Sequence, residues 1–144
     1  MNEGMDHETG AALASALAVA RLRAVRIGLL HLHKTLLDAE RERYVRERGP
    51  IDGPGHALKL VLNDPFFAWL RPVSSLVVQI DERLADNAPL GQTDAGALMD
   101  QARALLQGDG GGPSFHERYQ HALQTLPEVV VAHGQVAGLL NEKS

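Results

Sequence analysis

The chain has 144 residues, 44% of them apolar and 22% charged, with a net charge of −4 and no cysteine. This is enough apolar material for one core without staples, and it excludes disulfides, thiolate metal sites and cysteine nucleophiles. The acidic balance argues against non-specific nucleic-acid binding, which needs a basic face. No run of ~18 apolar residues is present, so no membrane span is expected. The small apolar stretch 11–20 follows Glu3, Asp6 and Glu8 with no Lys or Arg, the wrong sign for a signal peptide. A cytoplasmic protein is the expectation.

Residues 1–9 are polar and read as a frayed tail, ahead of a single domain over 10–142. From Gly10 to Arg48 there is no proline and only Gly28 interrupts a run rich in Ala, Leu and Arg. These are strong helix formers, so one long helix is expected, with a possible bend at Gly28. Leu22, Val25, Leu29, Leu32 and Leu36 recur at 3-4 spacing and mark its core face. Gly49-Pro50 supplies a C-terminal stop. A loop over Ile51–Gly55 and a short helix over His56–Leu62 follow. Asn63-Asp64-Pro65 is a start signal, an acidic N-cap before a first-turn proline. It opens an apolar helix carrying Phe66, Trp69, Leu70, Val73, Leu76, Val77, Ile80 and Leu84, which Pro72 should kink or split. Beyond a loop over Asp86–Gly91, Thr93 is expected to cap a helix to about Gln107. Gly108–Gly112 breaks the chain. Ser114 is expected to cap a helix to Leu126, and Thr125-Leu126-Pro127-Glu128 fits a capping box for a last helix to about Leu140. The fold class is therefore all-α: an irregular bundle of about five or six helices with one long N-terminal helix.

Polar residues on the long helix carry the chemistry, if any is present. Arg26, His33 and Glu40 are seven apart and fall close to one line among leucines. Such a row is costly unless paired. It reads either as the edge of the core, with long side chains reaching water, or as an ion network, a ligand pocket or a pH-sensitive switch. Arg71 is expected to pair with Asp81, Glu82 or a carboxylate of the long helix. Arg26, His33, Glu40, Arg71 and Asp81 are thus the candidate ligand-binding residues. His31, Lys34 and Asp38 form a solvated stripe. No metal or cofactor motif is present: His31 and His33 point apart on a helix, and only a site assembled from distant elements, such as His33, Asp81 and His121, would remain. Ser74 and Ser75 lack a nucleophile elbow, and Gly108–Gly112 lacks the Lys-Ser/Thr ending of a phosphate loop.

The segments Leu32-His33-Lys34-Thr35-Leu36-Leu37-Asp38-Ala39-Glu40-Arg41 and Leu60-Val61-Leu62-Asn63-Asp64-Pro65-Phe66-Phe67-Ala68-Trp69-Leu70-Arg71-Pro72-Val73-Ser74-Ser75-Leu76-Val77-Val78-Gln79-Ile80-Asp81-Glu82 resemble a family of short bacterial helical proteins to which no activity attaches. The resemblance implies a bacterial cytoplasmic helical domain and no mechanism. By their bulk Phe66, Phe67 and Trp69 read as core anchors; Phe67, ~100° from Phe66 on an α-helix, is the one that would suit a partner surface if exposed, and is an interface candidate. A helix of about 38 residues would be ~57 Å long, more than a domain of this size spans. Its excess length points to association, with Leu13 and Leu17 in the alanine-rich start as further interface candidates. The favoured reading is a non-enzymatic homodimer. The alternative is a small-ligand or metal-binding bundle around His33, Glu40 and Asp81. An enzyme ranks below both.

Overall fold

The computed structural model describes residues 3–86 and 90–141, with side chains for 10–86, 90, 91 and 94–141. All its regular elements are helical. They are α1 (Glu3–Arg48), α2 (Pro54–Asn63), a 3-10 helix (Pro65–Leu70), α3 (Arg71–Ala85), α4 (Gln92–Leu106), α5 (Gly112–Thr125) and α6 (Pro127–Asn141). The bundle is organised on α1, which packs along α6, α3 and α4 and reaches the 3-10 helix near its end.

Why α1 holds this place follows from its sequence. Ala18, Leu22, Val25, Leu29, Leu32 and Leu36 are all buried, at 4-3-4-3-4 spacing. Each fully buried Leu or Val contributes ~1.5–3 kcal/mol. The helix runs uninterrupted through Gly28. That glycine serves packing: a Cβ there would sit 3.0 Å from Val136 Cγ2, so its absence lets α6 approach. Gly49 ends α1 with φ +118, a conformation that favours glycine, and its N–H reaches Val45 O. The start differs from expectation, since α1 begins at Glu3 and not Gly10.

Asp64 caps the next element as its sequence demands, its carboxylate accepting from Phe66 N at 2.9 Å. The Pro72 segment is split rather than kinked. A 3-10 helix ends at Leu70, and Pro72 lies in the first turn of α3, where its missing N–H has no partner to lose. This split corrects the reading of Phe67. In a 3-10 helix residues i and i+3 share a face, so Phe67 and Leu70 turn inward together. Phe67 is 1% exposed and is a core residue, not a contact surface.

Two expected caps are also revised. Gly111, not Ser114, precedes α5, which begins at Gly112. The Thr125 hydroxyl donates back to His121 O within α5. The expected Thr93 cap and residues 87–89 of the expected loop lie outside the described residues.

Candidate functional site

The row Arg26, His33, Glu40 does not form one site. Arg26 and Glu40 are fourteen residues apart, ~21 Å along the axis. Its two ends are separately neutralised. Arg26 Nε donates to Asp81 Oδ1 across to α3, with both side chains partly exposed. Glu40 lies at the other end in a different network. His33, between them, is half-buried, and burial holds its imidazole below its ordinary value. It has no hydrogen-bond partner among the described residues. The pocket expected around His33, Glu40 and Asp81 is therefore replaced by two separate ion pairs. Among the described residues no three His, Asp or Glu side chains gather to hold a metal, so His33, Asp81 and His121 do not combine.

Glu40 is the centre of the richer network. Among the described residues it is the charged side chain that the bundle buries, at 7% exposure. Arg43 Nε donates to Oε1 at 2.9 Å, Arg43 Nη2 to Oε2 at 3.0 Å, and Trp69 Nε1 to Oε2 at 2.8 Å. Arg43 also reaches Glu47 through Nη1 at 2.8 Å and lies over the Phe66 ring at 3.9 Å. The carboxylates beside it raise the Arg43 guanidinium above its ordinary value, the hydrogen bond to Glu40 being the largest cause. Both Glu40 oxygens are thus engaged. The group fixes Arg43 and Trp69 in place; it is not a free acid or base.

Around this node lies a cleft of about 140 Å³, walled by Leu36, Trp69, Ala122 and Leu126 and edged by Arg46, Arg118 and His121. Arg71, expected to pair with Asp81, Glu82 or α1, instead donates from Nη2 to Leu62 O at 3.1 Å and stays exposed. From Trp69 an aromatic series runs inward: Phe115 at 6.2 Å, then Tyr119 stacked at 5.2 Å. Burial raises the Tyr119 phenol well above its ordinary value and lowers the His133 imidazole. The phenol hydroxyl and His133 Nδ1 share a hydrogen bond at 2.7 Å, its direction set by the imidazole tautomer.

The other notable feature is the far side of α1. Leu13, Leu17 and Ile27 are 59%, 49% and 64% exposed. With exposed Gly10 and Ala20 and half-buried Ala24 they recur at 3-4-3-4-3 spacing, roughly opposite the buried seam. So α1 is apolar on two sides; the bundle buries one, and the start of the other edges a groove shared with Ala95, Gly96 and Met99 of α4. Leu13 and Leu17 were legible as interface candidates; Ala20, Ala24 and Ile27 belong to the same series. Arg43 was signalled by its i+3 and i+4 spacing to Glu40 and Glu47. The Trp69 bond and the placement of Arg118 have no sequence signal, because they depend on contacts between remote elements.

Among the described residues, no helix is long and apolar enough to cross a membrane. No protein-family model, curated protein or solved structure matches the chain.

Proposed function

We propose that this chain is a cytoplasmic, non-enzymatic bundle that acts through association with a second copy of itself, α1 against α1. The observation that carries this is the second apolar series, Gly10, Leu13, Leu17, Ala20, Ala24 and Ile27, whose large side chains stay about half exposed although its first half borders α4 across a groove also lined by Ala95, Gly96 and Met99. Three large apolar side chains aligned over ~21 Å of one helix form a patch that isolated surface leucines do not.

The order of large and small residues favours a second copy as the occupant. Antiparallel pairing with residue i opposite residue 37 − i sets Leu17 on Ala20, Leu13 on Ala24 and Ile27 on Gly10. Every layer then joins a large side chain to a small one, as close helix packing requires. A parallel pair would stack leucine on leucine and alanine on alanine, leaving voids at the alanines. Length supports the same reading. At 46 residues α1 is ~69 Å long, against roughly 40 Å for a compact domain of this size. The non-enzymatic part rests on the polar row, whose carboxylates Glu40 and Asp81 are engaged by Arg43, Trp69 and Arg26.

Light scattering on the full chain over a range of concentrations tests it. The expected result is twice the chain mass for the parent and the single-chain mass for Leu17→Glu, with unchanged helical circular dichroism. A parent that stays at single-chain mass at the highest concentration refutes the proposal.

A further inference from the structure

We infer that the cleft beside Trp69 is a binding site for a small monocarboxylate with an apolar body. The site is far along α1 from the outer seam and does not depend on dimer formation. Its inner wall is apolar: Leu36 from α1, Trp69 from the 3-10 helix, Ala122 from α5 and Leu126 beyond it. Its rim is cationic. Arg46 comes from the last turn of α1 and Arg118 from α5, 72 positions later, and both line the same opening. Neither guanidinium has a hydrogen bond or ion pair among the described residues.

Charge and size together select the ligand. Three guanidinium groups line the cleft, Arg43, Arg46 and Arg118, against two carboxylates, Glu40 and Glu42. Glu40 is fully engaged by Arg43 and Trp69, which removes one pair from consideration. Glu42 makes no hydrogen bond to either rim arginine. Among the side chains that line the cleft the remaining excess is a single positive charge, with Glu47 outside it held on Arg43; one carboxylate neutralises that excess while accepting from both rim guanidinium forks. A volume of about 140 Å³ admits a benzoate or a branched short-chain acid, not a nucleotide. A free phosphate would match the rim but leave the apolar wall uncovered. The buried Glu40 has a positioning role: it holds the indole edge-on to its carboxylate, so that the ring forms the wall.

Trp69 is the chain's one tryptophan, so its emission reports this cleft. The test titrates the full chain with benzoate and isovalerate, with neutral benzamide and inorganic phosphate as comparisons. The expected result is a saturable change with at least one carboxylate, and binding at least tenfold weaker for benzamide and for phosphate. Arg118→Gln and Arg46→Gln should each weaken carboxylate binding by tenfold or more, with circular dichroism and melting temperature unchanged. Both side chains are exposed, so neither variant removes core packing. Saturation by neither carboxylate overturns the inference. Equal binding of benzamide reduces the site to an apolar crevice and overturns it as well. Tighter binding of phosphate, or full affinity in both arginine variants, does the same.

Discussion

Replacing Glu40 with Ala removes the acceptor of three hydrogen bonds at 2.8–3.0 Å. Breaking a buried ion pair from one side costs about 3–5 kcal/mol. The lower end applies here. The Arg43 side chain retains 20% exposure, keeps its bond to Glu47 and stays over Phe66, so its charge is not stranded. The orphaned indole N–H of half-buried Trp69 adds to the loss. The expected destabilisation is about 3 kcal/mol, or a fall of roughly 6–12 °C in melting temperature for a domain of this size. Glu40→Gln keeps one acceptor oxygen but turns a donor toward Arg43 or Trp69, and should lose about 1–2 kcal/mol. Lys34→Ala, which removes an exposed i,i+4 pair with Asp38, should stay within ~0.5 kcal/mol. Thermal melts followed by Trp69 emission and by circular dichroism measure all three. A Glu40→Ala protein melting within 2 °C of the parent, or no more perturbed than Lys34→Ala, would show that the network does not hold the bundle together.

Gly28→Ala gains helix propensity but pushes a methyl group to 3.0 Å from Val136 Cγ2; a net loss of about 1 kcal/mol is expected in denaturant melts, and Gly28→Leu should lose more. Tyr119→Phe deletes the bond to His133 and should destabilise by about 1 kcal/mol in the same assay. Burial holds His33 and His133 below the usual imidazole value of 6.5, so the folded chain binds fewer protons than the unfolded one. Their contribution is accordingly fully present above pH ~6.5 and is lost as pH falls through the lowered folded values. Melts between pH 7 and ~5 should show this slope, and the double variant His33→Gln, His133→Gln should flatten it.

The helices were legible where local chemistry decides. The inner leucines of α1 announce its core face, Asp64-Pro65 announces a start, and Gly49-Pro50 a stop. Each depends on neighbours within a turn or two. Misreadings arose where a local cue had two structural outcomes. Pro72 is compatible with a kinked α-helix or with a 3-10 turn followed by a new helix. Both outcomes were open, but counting Phe66 and Phe67 at α-helical spacing rotated Phe67 out of the core in which it lies. Equal heptad spacing made Arg26, His33 and Glu40 look like one site. Yet the same spacing separates its ends by about four turns, and each end found its partner on a different element: Asp81 on α3, Trp69 on the 3-10 helix. The outer seam was half legible. Leu13 and Leu17 stand out by size, whereas Ala20 and Ala24 become informative only once the inner face is known and the opposite one is seen to be open.

Association through that seam is tested most directly by a distance between two copies. The chain has no cysteine, so a single spin label can be placed at Lys34, an exposed position on the open side of α1. In the antiparallel pairing position 34 of one copy lies opposite position 3 of the other. The two labelled sites are then 31 residues apart along the axis, about 47 Å at 1.5 Å per residue, with the ~9 Å between helices adding little. Pulsed dipolar spectroscopy should return a distribution centred near 47 Å that disappears in the Leu17→Glu background. A parallel pair would instead give a separation of only ~10 Å between backbones. That result, or no dipolar coupling between copies at all, would contradict the account.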